Sequence, residues 1–377
     1  MTDQSADDLA SKTYRTYLYG LAAGFFFFMA SVVTINLAYD PANLLLDDQI
    51  KAVAKLMEEG NYVSGISNLD MLALQSERIS LLRRPPDTVV MGSSRAMVIS
   101  SEIWPGNLKN HWVNGAGIFQ FCQVVEGYAS RSILPRRMVL VIDPWVFNAN
   151  GQSAEATSLD EACRRFTPAG VKVVASSLDR QQTAKALAFV SLGYLKASIE
   201  RARQYGVSSI APYWRRLSVE TAATSDPPLV RGGLAPEGYR IPPEAERTIS
   251  EKKVAEAAKA FGLDNKAYNL GNFRELSPVY AQTLLNIIDY LQNAGIEVII
   301  GLAPYHPLAI KNLAANPAYG PIITKAEDFL RKEGAARGIQ VKGSYLSDIC
   351  KGPEFFDPFH PRASCHLRIF RDASLKN

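Results

Sequence analysis

The sequence predicts an α/β protein organised around a parallel β-sheet, and three observations carry that prediction. Short apolar runs recur at residues 87–91, 112–114, 138–142, 297–302 and 339–341, each with the length and residue types of a buried strand. Stretches with apolar residues at three- and four-residue spacing lie between them, notably to about Ile133, from about Val279 to Asn293 and near Thr324 to Arg337. The first four runs are followed by residues that end a ladder or turn the chain: Gly92, Gly115-Ala116-Gly117, Asp143-Pro144 and Ala303-Pro304. Strands alternating with helices imply βαβ units and a right-handed parallel sheet.

Taken in order, the chain begins with a tail over residues 1–15. Residues Thr16–Tyr39 then carry no charge over 24 positions and include Phe25-Phe26-Phe27-Phe28, enough at helical rise to cross a hydrocarbon core of about 30 Å. This segment reads as one transmembrane anchor. Lys12 and Arg15 precede it and Asp40 follows it, so the positive-inside bias leaves the tail in the cytoplasm and exports the rest. A cleavable signal peptide is the competing reading, but the apolar stretch exceeds a usual signal core and no clear small-x-small site follows. Residues 40–86 read as a helical linker, with Ile50, Val53, Leu56, Leu72, Leu74, Ile79 and Leu82 at helical spacing and Pro85-Pro86 ending it. The α/β domain then occupies 87–377. From about Asn150 to Leu276 its rhythm breaks into polar sequence punctuated by Pro227-Pro228, Gly232-Gly233 and Pro242-Pro243, which reads as an inserted irregular subdomain.

Composition narrows the function. Of 377 residues 47% are hydrophobic and 21% charged, which is globular rather than disordered. Lys and Arg number 41 against 37 Asp and Glu, a net charge of +4 spread along the chain; with no basic run, nucleic acid is not an expected partner. The four cysteines, Cys122, Cys163, Cys350 and Cys365, form no CxxC and no zinc-ligand spacing, so neither a metal nor any other cofactor is expected. Export permits a disulfide, and Cys350 with Cys365 is the pair to examine, because they bracket Asp357 and His360. Buried free thiols are the equal alternative.

In open parallel sheets, ligand sites collect at the carboxyl ends of the strands. There the sequence places Gly92-Ser93-Ser94-Arg95, Asn114-Gly115-Ala116-Gly117, Asp143 to Asn148 and Pro304-Tyr305-His306, with Asp357-Pro358-Phe359-His360-Pro361 near the end. A serine hydroxyl becomes nucleophilic when an imidazole accepts its proton, and the imidazole needs a carboxylate to fix its tautomer. Ser94, His360 and Asp357 supply those groups, the last two three residues apart, where both can face one side. An oxyanion would draw on the Ser94 amide and on Asn114, Gly115 and Gly117. Arg95 and His306 are candidate substrate contacts, Arg95 more simply the partner of a carboxylate. Each has a plainer reading: Ser93 or Ser94 as a helix cap, His360 as a turn histidine, His306 as a surface residue. Trp145 and Phe147 read as core and His111 as structural; His366 has Ala363, not a carboxylate, three positions before it.

The order of these blocks resembles the SGNH hydrolase superfamily, with serine in the first block, glycine in the second, asparagine in the third and Asp-x-x-His in the last. The resemblance covers about Asp87 to Asn148 and about Val279 to the C-terminus. It implies a three-layer α/β/α, flavodoxin-like sheet with Ser94, Asp357 and His360 as the catalytic groups. No Gly-x-Asn-Asp block is present, and Asn148 holds the third-block position. Gly-Ser-Ser-Arg and Asp-Pro-Trp-Val-Phe-Asn are similar to the membrane-anchored branch that includes the D-alanyl transfer protein of teichoic acid modification and the alginate O-acetylation proteins. That likeness implies serine-dependent acyl transfer or ester hydrolysis on an exported polysaccharide, beside a membrane-bound O-acyltransferase. The alternative is a catalytically silent scaffold subunit of such a complex.

Overall fold

The computed structural model describes residues 3–40, 47–65, 69–150, 158–174, 187–205, 222–263 and 267–371. Its first elements are α1 (Asp3–Tyr39), α2 (Asp47–Glu58), β1 (Tyr62–Ser64), α3 (Met71–Leu81), β2 (Thr88–Gly92), β3 (Leu108–Trp112), α4 (Ile118–Ser130) and β4 (Arg137–Val141). The middle of the chain supplies β5 (Ser158–Asp160), β6 (Lys172–Val174), α5 (Leu192–Tyr205), β7 (Ala222–Thr224), β8 (Gly233–Leu234), β9 (Arg240–Ile241), α6 (Glu244–Arg247) and α7 (Glu251–Ala260). The last third supplies α8 (Pro278–Asn293), β10 (Glu297–Leu302), α9 (Pro307–Ala315), α10 (Gly320–Ala336), β11 (Gln340–Gly343) and α11 (Ala363–Arg371).

Two compact units result. The smaller takes residues 1–47 and 177–218, the larger the remainder. In the smaller unit, Thr13–Tyr39 of α1 is long and apolar enough to cross a membrane, with a mean hydropathy of 2.0 over its most apolar stretch. Phe25 to Phe28 are all exposed. The end of this helix packs against α5, where Asn36 Nδ2 donates to the Phe189 carbonyl at 2.8 Å and Ser198 Oγ donates to Asn36 Oδ1 at 2.9 Å.

In the larger unit, five strands form one parallel sheet in the order β11-β10-β4-β2-β3. The chain leaves β2 toward β3 on one side and returns to β4 on the other, so the strand order reverses at β2, the place where open sheets leave a crevice. Close approach is needed there: a Cβ on Gly92 would stand 2.8 Å from that of Val141. The three central strands, β2, β4 and β10, are almost wholly apolar and buried on both faces. Helix α4 packs on β2, α8 and α10 on β10, and α10 and α11 on β11.

The expected strands are present with shifted ends, the largest shift placing the second at Leu108–Trp112 rather than at 112–114. Residues 40–86 differ from a helical linker. In 47–65 and 69–86 they carry two helices and β1, which joins β7, β8 and β9 in a small antiparallel sheet. Val53, Ala54, Met57, Val63, Leu74 and Ile79 lie in the main core, so burial of these apolar faces makes the segment part of the domain. The stretch from 150 to 276 is likewise not one subdomain. Its described parts divide between the two units, with α5 beside the apolar helix.

All four cysteines are paired, Cys350 with Cys365 and Cys122 with Cys163. The second bridge, which sequence spacing did not suggest, ties α4 to the 3₁₀ turn at Glu161–Phe166.

Candidate active site

Ser94 opens a 3₁₀ turn, Ser94–Ala96, directly after β2. Ser93, not Ser94, caps this turn, its hydroxyl accepting from the Arg95 amide at 3.1 Å. That leaves the Ser94 hydroxyl for other partners. It lies 2.9 Å from His360 Nε2. His360 Nδ1 in turn lies 2.6 Å from Asp357 Oδ2. A carboxylate accepts and does not donate, so Nδ1 carries the proton and the Nε2 lone pair faces the serine hydroxyl. The arrangement can therefore take a proton from Ser94 and hold the resulting imidazolium against a fixed carboxylate.

The loop that carries Asp357 and His360 is held from several directions. Asp357 Oδ1 accepts from the amides of Phe359 and His360, both at 2.9 Å, and Phe356 N donates to the His360 carbonyl at 3.0 Å. The Phe359 ring stacks on Phe261 at 5.6 Å. Burial would raise the Asp357 carboxyl, but the hydrogen bond and charge of His360 with the two amides outweigh it and hold Asp357 below the usual carboxylate range.

Arg95 is fully buried beneath this loop. Its Nε donates to the Phe359 carbonyl at 3.0 Å, one terminal nitrogen to Asp143 Oδ1 at 2.8 Å, and the other to the Ala303 carbonyl. Its guanidinium also lies 4.2 Å over the Tyr305 ring. One side chain thus joins the end of β2 to the ends of β4 and β10 and to the residue beside His360. Burial pushes the Asp143 carboxyl up, opposed by Arg95. His366 Nε2 donates to the Arg95 carbonyl at 2.8 Å, and burial lowers its pKa to about 4.

Ser94, Asp357 and His360 line one cavity of about 380 Å³, with Asn114, Trp112 and Arg240 on its walls. A neighbouring cleft of about 410 Å³ shares Trp112, Asn114 and Arg240, so the two adjoin. The Ser94 amide heads its turn, where no carbonyl of the turn precedes it, and Asn114 is exposed at the cavity wall.

Other expected contacts stand elsewhere. The Gly117 amide is taken by Gln120 Oε1 at 2.9 Å, because Gly117 caps α4. Gly115 turns the chain with φ +59° against the Tyr268 hydroxyl. Asn148 is buried, its amide donating to the Asn269 carbonyl and Asn272 Oδ1; it joins the 3₁₀ turn Pro144–Phe147 to that loop and is not among the residues that line the cavity. Arg95 is spent on Asp143 and two carbonyls, away from any substrate. His306, 2% exposed, caps α9 by accepting from Leu308 N at 3.1 Å, and burial lowers its pKa. Trp145 and Phe147 are core, and His111 is buried between Gln75 and Tyr128.

Sequence reading missed Arg240 and Glu246, which pair at 2.6 Å on the cavity rim, and Met97 and Phe356 on its walls. The first two come from the irregular middle of the chain, where no spacing pointed to the site. A scan against protein-family models finds no match for the chain, and a search of curated proteins finds none.

Proposed function

We propose that this chain is a membrane-anchored serine acyltransferase or esterase, acting outside the cytoplasm through an acyl ester on Ser94. The observation that carries the reading is the run of contacts from Ser94 Oγ to His360 Nε2 and from His360 Nδ1 to Asp357, at 2.9 and 2.6 Å. In the first step Ser94 Oγ bonds to the acyl carbon while His360 takes its proton, and the proton then passes to the leaving alcohol. In the second step an acceptor hydroxyl or water gives its proton to His360 and bonds to the acyl carbon, the bond to Ser94 Oγ breaks, and His360 returns the proton to that oxygen. The Ser94 amide and Asn114 stabilise the oxyanion of both steps.

Two disulfides support export, since such bonds persist in oxidising compartments. The resemblance of the Gly-Ser-Ser-Arg and Asp-x-x-His blocks to the SGNH superfamily and its membrane-anchored branch supports a three-layer α/β/α arrangement, a polysaccharide as acceptor or substrate, and a membrane-bound O-acyltransferase as acyl supplier. The two adjoining clefts suit an extended acceptor better than a small ester.

A fluorophosphonate probe tests the reading directly. The wild-type chain is expected to label and to hydrolyse a chromogenic acetyl ester, and Ser94→Ala to do neither. If wild type and variant are equally unlabelled, the chain is instead the silent scaffold of an acyltransferase complex.

A further inference from the structure

We propose that α5 is a second membrane-contacting element, whose outer stripe of Leu192, Lys196, Ile199 and Arg203 lies in the lipid head-group layer beside α1. The inference rests on α1 spanning the bilayer, not on catalysis.

The argument begins with where α5 is fixed. Val32, Asn36, Tyr39 and Asp40 are the buried positions near the end of α1, one face repeated at helical spacing. Asn36 is fully buried, and its side-chain amide is satisfied from residues 189–198: it donates to the Phe189 and Ser191 carbonyls and accepts from Ser198. Tyr194 Oη donates to Asp40, and Arg201 donates to the Asp40 carbonyl. Counted from Arg15, a hydrocarbon core of about 20 residues ends near Asn36. A polar amide at that depth needs protein partners, because lipid offers none. The partners come from α5 and the turn that leads into it, so the first turns of α5 sit at the boundary between hydrocarbon and water.

Its outward face has the chemistry of that boundary. At about 100° per residue, Leu192, Lys196, Ile199 and Arg203 fall within a sector of about 60°, opposite Tyr194, Ser198 and Arg201, which face α1. All four are exposed, Leu192 by 59% and Ile199 by 38%, and Leu187 and Val190, just before the helix, are exposed too. Neither Lys196 nor Arg203 has a carboxylate partner among the described residues. Apolar side chains that reach the acyl boundary, interleaved with cations that reach lipid phosphates, are the pattern of a helix lying in the interface. A face for a protein partner would have no need of paired cations at lipid depth.

The test uses the full chain in single-protomer nanodiscs of phosphatidylcholine and phosphatidylglycerol. Every native cysteine is in a disulfide, so an environment-sensitive NBD dye attaches only to a cysteine introduced by Leu192→Cys, Ile199→Cys, Phe26→Cys or Lys332→Cys. Phe26 lies in mid-span, and Lys332 is an exposed residue of α10. Blue-shifted emission at 192 and 199, quenched by doxyl lipid, is expected, with neither effect at 332. If 192 and 199 behave like 332 while Phe26 reports lipid, the span stands and the inference is overturned. A blue shift without lipid quenching means that protein covers the stripe, and also overturns it. If Phe26 itself reports water, α1 is not in the bilayer and the inference falls with it.

Discussion

At Asp357 a single carboxylate has two tasks, accepting the His360 ring proton through Oδ2 and two backbone amides through Oδ1. Asp357→Asn keeps the shape but offers an amide where the ring proton needs an acceptor, which favours the other imidazole tautomer and turns Nε2–H toward Ser94. If the chain is a serine enzyme, kcat for ester hydrolysis should fall on the order of 10⁴-fold, measured with a chromogenic ester while far-UV dichroism stays unchanged. Stability carries a second signature. The Asp357 pKa is lowered in the folded chain, so its contribution is present above the ordinary carboxylate pKa and is lost as pH falls through the folded value. His366 acts in a separate window. Folded, it titrates near 4; unfolded, near 6.5. Between those values the unfolded chain binds a proton that the folded chain does not, so stability rises with pH by up to roughly 1.4 kcal/mol per unit. His366→Gln keeps a donor for the Arg95 carbonyl and should flatten the change in thermal midpoint between pH 4 and 6.5.

Among the elements, the loop between Cys350 and Cys365 holds two members of the proposed triad. The bridge closes 15 residues of sequence, a length for which cross-linking stabilises by about 3 kcal/mol. Cys350→Ala with Cys365→Ala should lower the denaturant midpoint accordingly and lower kcat further than KM rises, because the loop positions the base rather than the substrate. An unchanged midpoint in denaturant titration would count against this account. The legibility of the elements follows their chemistry. β2, β4 and β10 were visible as apolar runs because both of their faces are buried. β3 was misplaced because Asn110 and His111, wholly buried within it, are held by side-chain bonds: Asn110 to the Ala96 and Ile99 carbonyls, His111 to Gln75 and Tyr128. Buried polar residues satisfied by partners distant in sequence leave no apolar pattern to read. β1, three residues long, was hidden between two helices for want of length.

For the whole molecule, the expectation that can be checked most cheaply is orientation. With Lys12 and Arg15 before the apolar helix and Asp40 after it, alkaline phosphatase fused after Asn377 should be active in a bacterial host and β-galactosidase at the same position inactive. The reverse pattern would place the serine site in the cytoplasm and remove the setting in which its two disulfides persist.

What the sequence by itself determined is the parallel α/β plan, the apolar span and the identity of Ser94, Asp357 and His360 as the groups worth following, because strand burial, membrane length and residue chemistry are local properties. What only the tertiary structure decided is which groups meet. It brought Ser94 within 2.9 Å of a histidine 266 positions away, buried Arg95 as a brace instead of leaving it for substrate, turned Gly117 and Asn148 to structural bonds, and packed α5 against the end of the apolar helix. Those outcomes depend on pairing across long stretches of chain, where the burial of polar atoms is settled by partners that no local spacing reveals.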